Sequence, residues 1–406
     1  MNGVRNVGNL DIKENCCGCS ACCNSCPVDA ISMVDDEYGF CYPRVNNSIC
    51  IGCQKCLYSC DFVNHFITRK KVLASFAAQT KNTKSINSSS SGGVFVDMAS
   101  QIIMSGGTIF GVVFEKDFST SFIASSDIKD VMRMSGSKYL QARVGLIYRC
   151  VKERLLENKT VLFCGTPCQV AGLMSYLRKD YENLITVDLF CHGVPSQLAF
   201  RESLDYVERQ YKCSVKSFNF RSKKLGWQGP FLHFQLERNG KLRNKYLFGS
   251  EFCFASDFAY SNNLRESCFK CPYSNELRVG DISIGDFWGY QKAKISLDDW
   301  YGLSAILVNS EKGLSFLKKT NLVLKEVALK TIIEGNKALQ HPAVPGNRWS
   351  FSMECIKNNN IDLLQKTTLL ENKKGSLKRR IKRRIPRCVL HLFKRIKRRV
   401  NTSGNK

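Results

Sequence analysis

The sequence predicts an α+β chain in three parts: a small cysteine-wrapped module, a larger mixed α/β domain and a basic amphipathic tail. Three observations lead there. One spacing of four cysteines occurs twice within the first sixty residues. Behind it, short β-branched and aromatic runs alternate with helical stretches. The last thirty or so residues are crowded with Lys and Arg.

The module comes first, and its spacing defines its chemistry. Cys16, Cys19, Cys22 and Cys26-Pro27 form C-x2-C-x2-C-x3-C-P, and Cys50, Cys53, Cys56 and Cys60 repeat the interval. Three thiolates in seven residues wrap one corner of an iron–sulfur cube, and the fourth cysteine reaches the neighbouring cube. Cys60 is therefore expected to complete the [4Fe-4S] cluster of Cys16, Cys19 and Cys22, and Cys26 that of Cys50, Cys53 and Cys56. Each half borrows a ligand from the other, so the segment should fold only when both clusters are loaded. Structural zinc prefers two separated cysteine pairs. A disulfide framework would need export, and no signal segment is read at the start of the sequence. Asp61 stands where the second copy would carry proline. Cys17, Cys23 and Cys41 fall outside the register and are read as small buried apolar residues. Tyr38, Phe40 and Tyr42 are expected to supply apolar cover between the two motifs.

The 406 residues allow two or three domains, and 44% hydrophobic with 23% charged residues is an ordinary globular composition. Twenty-one cysteines are not ordinary, and they point to metal ligation in a reducing cytoplasm. No apolar run reaches the length of a membrane span. The expected divisions are residues 1–70, 71–340 and 341–406.

Between Gln79 and Ser91 a polar stretch reads as a linker or flexible loop. It runs into Ser91-Gly92-Gly93, where serine and paired glycine before a helix leave backbone N–H groups open to a phosphate; an ordinary helix start is the alternative. Helices are expected over Val94–Met104, Leu146–Glu157 and Gln169–Leu177, with strands over Gly107–Phe114, Thr160–Phe163 and Leu184–Phe190. Lys216–Phe220, Phe231–Glu237 and Leu242–Phe248 read as antiparallel strands, the last two joined at Asn239-Gly240.

A second group of cysteines follows. Cys164-Gly165-Thr166-Pro167-Cys168-Gln169 and Cys191-His192-Gly193-Val194-Pro195-Ser196 each follow a strand, where loops build sites. The pair Cys268 and Cys271 lacks two partners, which Cys168 and Cys191 can supply for a third cluster, with Cys164 an alternative to Cys168. His192 is assigned a structural hydrogen bond rather than proton chemistry. Asp281 and Asp286 are read as ordering the Cys268–Cys271 loop or as solvated strand-end carboxylates.

From residue 373 to 399 there are fourteen Lys or Arg and no acid, which leaves +11 of the +25 net charge to the rest. Leu377, Ile381, Ile385, Val389, Leu392, Ile396 and Val400 recur at helical spacing, broken by Pro386. Such a tail suits an anionic membrane surface or an acidic partner, or is a solvated extension; no base-reading motif accompanies it, so specific nucleic-acid binding is not expected. The expected location is cytoplasmic, with the tail at the inner membrane face.

Taken together, SSGG, CGTPCQ, CHGVPS and the CxxC followed by Gly285-Asp286-Phe287-Trp288-Gly289 resemble the beta subunits of coenzyme F420-reducing hydrogenases and dehydrogenases. The resemblance runs from the first motif to about Val308. It implies a flavoprotein with FAD in the mixed α/β domain beside a [4Fe-4S] cluster, behind a bacterial ferredoxin-like two-cluster module. It makes Ser91, Gly92, Gly93, Ser137, Lys138 and Tyr139 candidate flavin contacts, Lys138 toward a phosphate or the reduced ring. It makes Cys168, Cys191, Cys268 and Cys271 the ligands of the third cluster. The implied activity is electron transfer between ferredoxin or another redox partner and F420 or another organic substrate. The alternative is a non-catalytic electron-transfer subunit, with a setting in polysaccharide synthesis at the membrane surface.

Overall fold

The computed structural model describes residues 6–9, 13–65, 67–228, 231–293 and 295–372. The basic stretch 373–399 and its apolar stripe lie outside them. In chain order the strands are β1 (Ile31–Asp35), β2 (Cys41–Val45), β3 (Ala74–Thr80), β4 (Thr108–Phe114), β5 (Thr120–Ser125), β6 (Val161–Gly165) and β7 (Leu184–Leu189). They continue with β8 (Ser214–Asn219), β9 (Phe231–Arg238), β10 (Lys241–Phe248), β11 (Ile282–Asp286), β12 (Ser304–Val308) and β13 (Leu322–Glu326).

Eight strands form one sheet in the order β13-β3-β12-β11-β7-β6-β4-β5. Its centre, β4-β6-β7-β11, is parallel, and the flanking pairs are antiparallel. The central strands read as near-continuous apolar runs because helices cover both faces. Helix Val94–Met104 packs on one face with Ile109, Leu162, Val187 and Ile306. Helices Ile147–Leu156 and Pro167–Leu177 pack on the other with Phe110 and Phe163. The ends of parallel strands β6 and β7 carry Cys164, Cys168 and Cys191, where open α/β sheets place their ligands.

A second sheet, β10-β9-β8, meets helix Gln197–Tyr211 in a core rich in phenylalanine. Asn239 and Gly240 both have positive φ in the β9–β10 turn, the geometry a two-residue hairpin demands. Helices Trp349–Lys357 and Ile361–Glu371 bury Met353, Ile356, Ile361 and Leu364 in the same core. The chain beyond residue 340 thus begins as part of the body.

Two expectations are corrected. The polar stretch after Gln79 is not a loop throughout: Gln79 and Thr80 end β3, and Thr83–Ser88 is helical. The Asn82 side chain caps that helix by accepting from the amides of Lys84 and Ser85. Tyr38, Phe40 and Tyr42 pack on the phenylalanine-rich core, so they join the module to the body.

Candidate cluster and cofactor site

The duplicated motif is visible in the backbone. Gly18 and Ser20 of the first copy, and Gly52 and Gln54 of the second, all adopt left-handed conformations. Each copy then turns into a single helical turn, Ala21–Asn24 or Lys55–Tyr58. Glycine takes the first left-handed position of each copy without strain.

The fourth cysteine of each copy lies near cysteines of the other. Cys22 has Cys16 and Cys60 as its electrostatic neighbours, and burial pushes its thiol well up. Cys60 likewise faces Cys16, and burial raises its thiol to about 11. Cys26 packs with Cys50 and Cys56, and Cys56 has Cys53 as a neighbour. Backbone amides point at the thiols: Gly18 N at Cys16 Sγ (3.4 Å) and Ala30 N at Cys26 Sγ (3.2 Å).

A third group gathers around a cavity of about 180 Å³ lined by Cys168, Cys191, Cys268 and Cys271 and by Cys16, Cys17, Cys19, Cys22 and Cys60. Cys191 and Cys268 face one another and Cys271, and burial raises Cys191 to about 12 and Cys268 further. A buried thiol yields its proton when a metal cation takes the sulfur, so these groups suit a cluster better than free thiol chemistry. Among the described residues, no three His, Cys, Asp or Glu side chains converge as ligands of one metal ion would. An iron–sulfur cube takes each thiolate at a different corner, so its ligands stand further apart.

Cys164 and Cys168 differ in position. Cys168 opens the helix Pro167–Leu177 and lines this cavity, whereas Cys164 lines a second cavity and faces Lys138 and Asp188. Cys17 is not apolar filler. Its thiol pairs with Cys168 and Cys19, between the first motif and the third group. Cys41 is also bonded, to Asp35 at 2.8 Å and Arg143 at 3.3 Å, and Cys23 donates to Ile31 O.

Two arginines that sequence reading missed hold this assembly. Arg265, fully buried, donates to Cys16 O (2.7 Å), Cys41 O (3.0 Å) and Gln141 Oε1 (3.0 Å) and lies 4.0 Å from the Tyr42 ring centroid. It stands three residues before Cys268, so it fastens the first motif to the third group. Arg278 pairs with Asp188 at 2.6 Å in a fully buried bridge and donates to Tyr273 O and Asn275 O. It braces the loop after Cys271 on the end of β7. A lone arginine in a sequence gives no sign of such a role. Asp281, buried, ties Lys70, Thr186 and Ser310 together, none of them in the Cys268–Cys271 loop, so it is neither the solvated carboxylate nor the loop-ordering residue expected.

The second cavity, of about 470 Å³, opens at the ends of β4, β6, β7 and β11. Ser91, Gly93, Ser137, Lys138 and Tyr139 line it. Gly92 does not: its N–H donates to Ser304 Oγ, and a side chain there would meet Ala78 O at 2.4 Å. Gly93 precedes helix Val94–Met104 with no side chain capping it, so the first amides of that helix are left for a ligand. Lys138 Nζ rests on the carbonyls of Met134 (2.9 Å), Ser135 and Gly136 (both 3.1 Å), and burial pushes it down to about 7. Arg221 enters the same lining, bonded to Tyr139 Oη (3.0 Å) and Asp286 (2.6 Å). Asp286 is thus tied to this cavity and not to the Cys268–Cys271 loop. His192 pairs with Ser261 Oγ at 3.0 Å, and burial lowers its basicity, in keeping with a structural role.

The segment Cys191–Val194 lines both cavities and forms the wall between them. Among the described residues no helix is long and apolar enough to cross a membrane.

Comparison with known proteins finds a likeness over part of the chain. No curated protein matches it. A chain solved in the xenon-derivatised F420-reducing [NiFe] hydrogenase complex from Methanosarcina barkeri is similar at 16% identity and a TM-score of 0.43, over 75% of this chain and 94% of that one. Residues 158–331 match the family described as the C terminus of the coenzyme F420 hydrogenase/dehydrogenase beta subunit. That range holds Cys164, Cys168, Cys191, Cys268 and Cys271 and leaves the duplicated motif outside. Over that range, this chain is similar to the beta subunits of coenzyme F420 hydrogenases and dehydrogenases.

Proposed function

We propose that the chain is an iron–sulfur flavoprotein oxidoreductase that passes electrons between a ferredoxin-type partner and an organic substrate or an F420-like deazaflavin. Three [4Fe-4S] clusters would be held by Cys16, Cys19, Cys22 and Cys60, by Cys26, Cys50, Cys53 and Cys56, and by Cys168, Cys191, Cys268 and Cys271. FAD would occupy the larger cavity. Clusters move single electrons and a flavin handles two, so the pair converts one kind of chemistry into the other.

The residues present fit these groups. The open amides after Gly93 suit a phosphate, and Lys138 and Arg221 add positive charge on the same lining. The carbonyls of Met134, Ser135 and Gly136 orient the Lys138 Nζ. The single observation that carries the reading is the shared wall: Cys191 belongs to the third thiol group and also lines the larger cavity.

The test is anaerobic reduction of the reconstituted chain by a low-potential one-electron donor, followed by flavin absorbance. Cys191→Ser is expected to retain flavin, to lose about one third of the iron, and to slow flavin bleaching by on the order of tenfold or more. Equal bleaching rates, or a chain that never retains flavin, would overturn the proposal.

A further inference from the structure

The two cysteine motifs are copies, but their surroundings are not. Aligned on their cysteines, Cys17 corresponds to Ile51, Cys19 to Cys53, Ala21 to Lys55 and Asn24 to Tyr58. The first member of each pair faces the body. Cys17 pairs with Cys168, and Cys19 packs against helix Pro167–Leu177, where a side chain at Gly172 would meet its Sγ at 3.0 Å. Ala21 is buried among Phe163, Val170 and Ala171, and Asn24 donates to Gly145 O at 2.9 Å. This face of the first copy delivers the first thiol group to the third.

The same face of the second copy is open. Ile51 is 63% and Tyr58 52% exposed, Lys55 is exposed, and Cys53 is the one exposed cysteine among the described residues. Lys55 and Tyr58 lie three apart on one helical turn, so they share a side, with Ile51 and Cys53 on the loop that leads into it. From Cys41 to Cys60 there are two cations, Arg44 and Lys55, and no acid. The Arg178 guanidinium lies over the Tyr58 ring. The chain outside the basic tail is itself net positive, a field that steers an acidic protein toward it.

We infer that Ile51, Cys53, Lys55 and Tyr58 form the docking face for a small acidic electron-carrier protein that holds its own iron–sulfur cluster. The inference rests on the proposed electron-transfer function and names its partner face. It parallels between two proteins the contact that the first copy makes within the chain: the residue after the first cysteine of the motif meets the partner, Cys17 inside the chain and Ile51 outside it. One electron crosses per encounter, from the carrier's cluster to the cluster of Cys26, Cys50, Cys53 and Cys56 or back, so one is oxidised as the other is reduced. The order outward from the larger cavity is then third group, first motif, second motif, solvent.

The experiment uses the full, cluster-loaded chain and an acidic bacterial-type ferredoxin as probe. Binding is measured by titration at low and at high salt, and cluster reduction is followed with that ferredoxin and with dithionite. Binding by the wild type is expected to weaken as salt rises. Lys55→Glu and Ile51→Asp are each expected to weaken it by about tenfold, with reduction by the ferredoxin slowed in step. Iron content and reduction by dithionite should not change, which separates failure of this face from failure of the clusters. Unchanged ferredoxin binding in both variants overturns the inference. So does a wild-type dimer that Ile51→Asp converts to monomer, because a second copy would then cover the face.

Discussion

The carboxylate of Asp61 accepts a hydrogen bond from the hydroxyl of Tyr273 at 2.6 Å. Asp61 occupies the position where the first motif has Pro27, and Tyr273 lies two residues after Cys271. The same carboxylate also takes the amide of Ile67 at 2.7 Å. The departure from the repeat is therefore a tie between the last cysteine of the module, Cys60, and the loop of the third thiol group.

Removing that tie has a defined cost. Tyr273→Phe keeps the ring and leaves the carboxylate oxygen without its donor. The bond joins a phenol to a charged group out of full contact with water, so the loss is expected at about 1.5–3 kcal/mol. Denaturant unfolding of the loaded protein measures it, and a change within error would show that the bond contributes nothing.

The two cysteines of Cys-Gly-Thr-Pro-Cys are expected to behave differently. Cys168→Ser should lower the iron content of the reconstituted chain from about twelve to about eight atoms, whereas Cys164→Ser should leave it near twelve. Iron and sulfide analysis on both variants decides, and the reverse result would exchange their roles.

These contrasts show what the sequence could carry. The intervals among Cys16–Cys26 and Cys50–Cys60 mark the duplicated motif, because the repeat is a matter of local spacing alone. The helix Val94–Met104 and strands β4, β6 and β7 are legible because a long apolar or periodic run tolerates few alternatives. Strand β3 was hidden at the edge of a serine-rich stretch, where polarity outweighed the pattern of alternating burial in Ala74–Thr80. Cys17, Arg265, Arg278 and Asp61 were hidden for another reason. Each has a partner 90 to 249 residues distant, and nothing local marks such a pairing. Cys164 and Cys168 could be separated only once the strand end and the helix start had fixed which cavity each faces.

Arg265 is expected to be the residue that the module can least lose. Arg265→Leu would leave Cys16 O, Cys41 O and Gln141 Oε1 without their donor, each at about 1–3 kcal/mol when buried. Limited proteolysis should then release the N-terminal module, and the first motif should lose iron before the second. A variant as resistant as the wild type would show that Arg265 is not the fastening.

Lys138 should make stability depend on pH. Burial depresses its folded-state value to about 7, below that of an exposed lysine, so between the two values the unfolded chain binds more protons. Stability contributed at this site therefore rises as pH increases through about 7 and is lowest below it. Lys138→Met removes the titration and is expected to stabilise the flavin-free chain more at about pH 6 than at about pH 9. Parallel thermal melts of the two proteins test this, and equal differences at both values would contradict it.

The central claim is that one chain holds three cubes and a flavin in line, and stoichiometry tests it most directly. Anaerobic purification and reconstitution should be followed by iron, sulfide and released-flavin analysis of the same sample, read beside the visible spectrum. About twelve iron atoms and one FAD per chain are expected, four irons for each set of four cysteines. About eight iron atoms and no flavin would contradict the account, leaving the duplicated motif as the only redox centre and the larger cavity without its cofactor.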